Sequence, residues 1–331
     1  MSQSPHSEAV DGFVDLPSPW RMHHGATLEG VRVAYRIEGQ TGAPIVAALG
    51  GISAHRFVCG DRPGGWWPAL VGAGRGVDTR RYRVLGIDYL GGSGDSATPE
   101  ATAPLPAVSA FDQVAALLAV VRRLELAPLH AIVGASYGGM VALAFAMLRP
   151  DLLQRLIVVG AAHRPCPLST AWRSVQRQIV RDALARGDGA AGLRLARALA
   201  MTTYRSGAEF AARFAGPAVR EQGQLRFPVE QYLLARGEAY ARRYRPESFL
   251  ALSESIDLFE IDPAAVRTPA TLIAVHEDQL VPLADMQALA RGLAGPCRFV
   301  QLASPFGHDA FLKEGETLKP IVERALVEKT Q

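Results

Sequence analysis

Residues 130–147, H-A-I-V-G-A-S-Y-G-G-M-V-A-L-A-F-A-M, constrain the fold more than any other segment. A short apolar run of strand type passes through Gly-x-Ser-x-Gly. It continues, without a polar break, into an Ala-rich apolar helix. A strand and a helix that are apolar on every side must both be covered by other elements, which implies a parallel sheet with helices on its two faces. The turn between them has to be sharp. Gly134 and Gly138 stand where a side chain would strike the neighbouring strand or helix, and Ser136 is lifted clear of the sheet on a strained turn.

The same alternation continues along the chain. Residues 31–38 alternate as an antiparallel strand, and residues 44–49, 82–88 and 156–159 read as short buried strands. Residues 111–124 and 141–147 have helical patterns. From residue 163 to about 258 the periodicity is helical, the faces are rich in Arg, and no run is convincing as a strand. The α/β pattern returns with a strand at 270–275, a helix at 285–293, a strand at 298–302 and a last helix near 313–327. We therefore expect a loose N-terminal arm (1–19), an α/β core (20–162 and 259–331) and an inserted helical lid (163–258).

Composition excludes several function classes. Lys and Arg number 35 against 32 Asp and Glu, a net charge of +3 in 331 residues. So small an excess, spread along the chain, does not point to nucleic acid. Cys59, Cys166 and Cys297 are far apart and form neither a disulfide framework nor a metal-ligand cluster, so a reducing cytoplasm and no metal are expected. The first residues lack the basic and apolar regions of a signal peptide, and no apolar run approaches the roughly 18 residues that span a bilayer. No membrane association is expected.

A serine on such a turn needs a base and an orienting acid, and in this chain order both lie downstream. The strand at 270–275 runs into His276-Glu277-Asp278. Asp278 lies where an acid loop belongs, Glu277 is its rival, and Asp278 could instead cap the next helix. The strand at 298–302 is followed by His308, the only histidine after Asp278. His55 and His276 stand near the expected site in the wrong order. With Ser136, Asp278 and His308 as a triad, His308 takes the serine proton and Asp278 fixes the imidazole tautomer. Backbone N–H groups near Gly50, Gly51 and Tyr137 are candidates for the oxyanion hole.

The chain resembles the homoserine O-acyltransferases, members of the α/β-hydrolase superfamily. The resemblance is carried by Leu49-Gly50-Gly51 with Ala54-His55, by Gly65-Trp66-Trp67, by Gly76-Val77-Asp78-Thr79 and by Ser136-Tyr137-Gly138-Gly139-Met140. Further matches are Ser174-Val175-Gln176-Arg177-Gln178, Thr203-Tyr204-Arg205-Ser206 and Gly307-His308-Asp309-Ala310-Phe311-Leu312. It implies an α/β-hydrolase fold, a mostly parallel sheet with an inserted helical lid, and ping-pong acyl transfer. Ser136 would accept an acyl group from acyl-CoA, the co-substrate, and L-homoserine would take it up through its hydroxyl; no other cofactor is implied. By the same resemblance Arg205 and Asp309 hold the amino acid, in keeping with a guanidinium for the carboxylate and a carboxylate for the ammonium. Arg56, next to the Gly50-Gly51 loop, is expected near the acyl pocket, where a second cation would favour succinyl-CoA over acetyl-CoA. Serine stays open as acceptor, because one methylene is worth only about 1–3 kcal/mol. A simple esterase and a non-catalytic binding module remain as rival readings. The resemblance also implies a homodimer through the lid helices, which the Ala-rich residues 184–201 would permit.

Overall fold

The computed structural model describes residues 8–60, 64–96 and 106–328. Among them, eight strands form one sheet: β1 (Glu8–Asp15), β2 (Arg32–Gly39), β3 (Ile45–Leu49), β4 (Arg83–Ile87), β5 (Ala131–Ala135), β6 (Leu156–Val159), β7 (Ala270–Val275) and β8 (Cys297–Leu302). They stand in the order β1-β2-β4-β3-β5-β6-β7-β8. β2 pairs antiparallel with β1 and with β4, and the remaining neighbours are parallel. Every residue of β3, β5, β6 and β7 is buried. That is why these strands read as unbroken apolar runs: both of their faces are covered.

Between strands run α1 (Ala110–Arg123), α2 (Tyr137–Leu148), α3 (Pro167–Ala185), α4 (Gly189–Tyr204), α5 (Gly207–Phe214), α6 (Pro228–Ala241), α7 (Pro246–Asp257) and α8 (Leu283–Gly292), and after β8 come α9 (Ala310–Lys313) and α10 (Gly315–Val327). The two-residue period of the strands sorts their side chains into two cores. Leu156 and Val158 join α1, α2 and α8 on one face, whereas Ile157 and Val159 join α10 and Trp67 on the other. Helices α3 to α7 lie in the chain between β6 and β7 and form the lid. Gly192 of α4 sits against Ala183 of α3, and Gly237 of α6 against the backbone of Arg194.

The structure differs from the sequence reading in three places. Residues 8–15, expected in the loose arm, are the edge strand β1. Its pattern is hidden because one face is solvated and Asp11 and Asp15 interrupt the apolar residues. Its order comes from main-chain pairing with β2 and from the ion pair of Asp11 with Arg36, both tertiary. The rest of the expected arm's start, residues 1–7, lies outside the described residues. The lid also contains a small hairpin, Val219–Glu221 with Gln224–Arg226, whose strands are too short to show a period. Finally, three of the six alanines of residues 184–201 face inward, while Ala185 and Ala190 are exposed. Ala196, Ala198 and Ala200 are buried, used for close packing of helices within the chain.

Candidate active site

Strand β5 delivers Ser136 at its carboxyl end. The residue has φ 55° and ψ −125°, a strained conformation for a side chain other than glycine. The strain holds because the neighbours leave no other path. A Cβ on Gly138 would lie 2.3 Å from the backbone of Leu49, and one on Gly134 would lie 2.3 Å from the Gly138 carbonyl. The Gly138 N–H donates to the Gly50 carbonyl at 2.8 Å, which locks the turn to the loop after β3.

His308 comes from the short turn between β8 and α9, and Asp278 from the loop after β7. The His308 Nδ1 stands 2.7 Å from Asp278 Oδ2, and its Nε2 stands 2.8 Å from Ser136 Oγ. A carboxylate can only accept, so Nδ1–H donates to Asp278 and the Nε2 lone pair faces the serine hydroxyl. The other oxygen of Asp278 accepts from the N–H groups of Leu280 and Val281, at 2.8 and 2.9 Å. Asp278 therefore does not cap α8. The rival Glu277 turns away and accepts from the Ser304 N–H at 2.7 Å, bracing the loop that carries His308. Burial disfavours the charged imidazole, but the Asp278 carboxylate more than offsets this and raises the His308 pKa above the ordinary histidine value. Gly160, at the end of β6, backs the pair: a Cβ there would come 3.3 Å from Asp278 Oδ2.

The triad side chains of Ser136 and His308 open on a cavity of about 210 Å³. Gly51 and Tyr137 border it, and their N–H groups meet no acceptor among the described residues. Gly50 does not border it; its carbonyl is held by Gly138 and by the Tyr89 hydroxyl, the latter at 2.8 Å. The Gly-Trp-Trp motif buttresses this loop. Trp66 lies against Gly50 and its indole N–H donates to the His55 carbonyl at 3.0 Å, while Trp67 donates to the Phe311 carbonyl at 2.7 Å. The Tyr137 hydroxyl shares a hydrogen bond with Ser255 of α7 at 2.6 Å, tying the serine turn to the lid.

Two of the other sequence candidates stand elsewhere than expected. Arg56 does not border the cavity. Its guanidinium pairs with Asp88 and with Asp95, the latter at 2.6 Å, its Nε lies 3.5 Å from Asp11, and it packs on the Phe57 ring. Three carboxylates, distant in sequence, draw it away from the acyl pocket. Arg205 donates to Glu209 at 2.6 Å and stands 3.4 Å from Asp309 Oδ2, behind the cavity rather than on it. Asp309 does border the cavity, as do Arg164, Arg173 and Arg197. Sequence reasoning passed over these three arginines, because a lid with many arginines gives no signal for which ones turn inward. Among the described residues no cluster of three or more His, Cys, Asp or Glu is arranged to hold a metal, and no helix is long and apolar enough to cross a membrane.

Strand order and serine turn together define the α/β-hydrolase class, and the model of the α/β-hydrolase fold family matches residues 59–315. A homoserine O-succinyltransferase from Xanthomonas campestris pv. campestris is 40% identical over 328 residues, covering 98% of this chain and 85% of its own. An L-serine/homoserine O-acetyltransferase from Streptomyces lavendulae is 34% identical, with 95% of this chain and 96% of its own covered. Among solved structures, a homoserine O-acetyltransferase from Bacillus anthracis superposes with a TM-score of 0.87 over 98% of this chain and 99% of its own at 18% identity, a likeness of fold. The chain belongs to the homoserine and serine O-acyltransferases of the α/β-hydrolase family.

Proposed function

We propose that this protein is a homoserine O-succinyltransferase that works by ping-pong transfer through a Ser136 ester. The observation that carries the reading is the continuous Ser136–His308–Asp278 hydrogen-bond chain at the floor of a lid-covered cavity. In the first half-reaction His308 Nε2 takes the Ser136 proton as Oγ attacks the thioester carbonyl of succinyl-CoA. The Gly51 and Tyr137 N–H groups receive the tetrahedral oxyanion; Gly50 acts by shaping the loop. The C–S bond then breaks, and the imidazolium returns the proton to the CoA sulfur. In the second half-reaction the homoserine hydroxyl gives its proton to His308, attacks the ester and restores Ser136. Asp309 takes the α-ammonium, with Arg205 behind it fixing its position.

The donor is the less constrained half of this reading, since Arg56 is committed to other carboxylates. Support for succinyl comes from the name of the 40% identical relative and from the arginines bordering the cavity, which suit a second carboxylate. Acyl-CoA enters as co-substrate, no prosthetic group takes part, and the place of action is the cytoplasm. The assembly is a homodimer through the lid. Exposed apolar residues there, among them Leu168, Val175, Leu195 and Leu225, supply a surface that the buried alanines do not. Light scattering on the purified protein should give twice the chain mass.

The decisive experiment reads the covalent step. Mixed with succinyl-CoA, the protein should gain one succinyl mass on the peptide containing Ser136, and the Ser136→Ala variant should gain none. Absence of an adduct from succinyl-CoA and acetyl-CoA alike would overturn the acyltransferase reading. Release of CoA, measured for homoserine and serine against both donors, should be fastest with homoserine and succinyl-CoA.

A further inference from the structure

Gly51 lies beside the nucleophile: a Cβ there would come 3.9 Å from Ser136 Oγ. The direction of its N–H is set by the group before it. The Gly50–Gly51 peptide is trans, so the Gly50 C=O and the Gly51 N–H share one plane and point opposite ways. The Gly50 carbonyl accepts two hydrogen bonds, from the Gly138 N–H at 2.8 Å and from the Tyr89 hydroxyl at 2.8 Å. Two donors fill both lone pairs of the oxygen, and the peptide plane is then held against rotation. Gly51 borders the cavity and Gly50 does not, so holding the carbonyl on the far side turns the N–H inward.

Tyr89 follows β4 and is only 2% exposed. A phenylalanine would fill the same space without taking a hydroxyl out of water. Nor is the hydroxyl needed to satisfy the Gly50 carbonyl, which Gly138 already does. Burial pushes the Tyr89 pKa well above the ordinary tyrosine value, so the group donates at every working pH. Donation to a carbonyl also polarises the N–H of the same peptide and makes it a better donor.

The lid holds the loop further on. Tyr244, between α6 and α7, donates to the Ile52 carbonyl at 2.5 Å, and the Tyr240 hydroxyl shares a hydrogen bond with Ser53 Oγ at 3.0 Å. The Ile52 side chain packs against the lid cluster of Val180, Leu193 and Tyr244. These contacts fix the loop beyond Gly51 and leave the Gly50–Gly51 peptide to Tyr89 and Gly138.

We infer that Tyr89 is a positioning residue of the oxyanion hole: through the Gly50 carbonyl its hydroxyl aims the Gly51 N–H at the tetrahedral oxyanion. The inference goes beyond the acyltransferase reading and rests on it. An oxyanion forms in both half-reactions, so the effect of Tyr89 is common to both. A residue that touched only the donor or only the acceptor would act on one.

Tyr89→Phe removes the hydroxyl and keeps the ring. The CoA burst from succinyl-CoA and from acetyl-CoA reads the first half-reaction, and discharge of the acyl-enzyme by L-homoserine reads the second. Each rate constant at saturation should fall by about 10–100-fold, short of the roughly 10²–10³ that follows outright loss of an oxyanion donor. The factors for the two half-reactions should agree, and half-saturating concentrations should stay within about 3-fold of the parent. Burst amplitude counts the active sites, so these rate constants do not depend on the fraction of protein folded. Tyr244→Phe leaves both donors of the Gly50 carbonyl in place and should lose less than Tyr89→Phe. An equal loss from Tyr244→Phe would ascribe the effect to the loop as a whole and overturn the assignment. A loss confined to one half-reaction, or Tyr89→Phe rates within about 3-fold of the parent, would overturn it too. Should the parent form no acyl-enzyme, the acyltransferase reading is what fails. The Gly51 amide resonance in ¹⁵N-glycine-labelled protein then tests Tyr89 by itself: it should shift and broaden in Tyr89→Phe, and an unmoved resonance rejects the assignment.

Discussion

At the residue scale the two neighbouring acids make opposite contributions. Asp278 orders the imidazole, whereas Glu277 bonds to the Ser304 main chain. Asp278→Asn should lower kcat by about 10⁴-fold with little change in fold, because the imidazole is then offered the wrong tautomer. Glu277→Gln should cost about 1 kcal/mol in denaturant titration and leave kcat within a few-fold, since an amide oxygen still accepts from Ser304. Steady-state kinetics on the pair checks both. The pH dependence follows from the raised His308 pKa. The base must be neutral to take the serine proton, so kcat/KM falls as pH drops through the folded pKa. The acid limb should therefore have its midpoint above the ordinary histidine value, and Asp278→Asn should move it to lower pH. A limb at or below the ordinary value in the parent protein would contradict the Asp278 contact. The serine and the histidine of the triad were legible from chain order and strand ends. The choice of Asp278 over Glu277 was legible only as a preference, because the two differ by the direction in which one loop turns.

At the element scale the lid depends on close approach between helices. The position of Gly237 on α6 is set by the Arg194 carbonyl of α4, 2.3 Å from where a Cβ would be. Gly237→Ala must push the helices apart, at a cost of about 1–3 kcal/mol. Further along α4, Arg197, Thr203 and Tyr204 border the cavity, so the homoserine KM should rise as well. Urea titration and acceptor kinetics on one preparation check the link. Helical periodicity revealed the lid helices, but it did not reveal how their alanines are used. An Ala-rich face fits an outer dimer contact and an inner helix contact equally well, and the choice depends on which neighbours the chain folds back to supply.

At the scale of the whole molecule, one carboxylate ties the start of the lid to its end. Asp257 at the end of α7 receives Arg173 and Arg177 of α3, the former at 2.6 Å and the latter at 2.5 Å, and all three side chains are largely buried. Asp257→Ala strands two guanidiniums and should destabilise the protein by about 3–5 kcal/mol. It should also raise both substrate KM values, because α3, α4 and α7 border the cavity together; denaturant titration and kinetics give the two readings. At the far edge of the sheet, deletion of residues 1–15 uncovers β2 and leaves Arg36 without Asp11. The truncated protein should aggregate more readily at equal concentration, which light scattering measures.

By itself the sequence determined the layered sheet, the serine turn and the order of the triad. Each of these rests on local chemistry: apolar period, the space available to a Cβ, and position relative to a strand end. Only the tertiary structure decided that residues 8–15 form a strand, that Arg56 faces Asp88 and Asp95, that Arg205 stands behind Asp309, and that Arg197 is among the arginines that border the cavity. The reason is the range of the interactions. A hydrophobic period is written within a dozen residues. The partner of a long charged side chain is whichever opposite charge the fold brings within a few ångströms, and no local pattern records it.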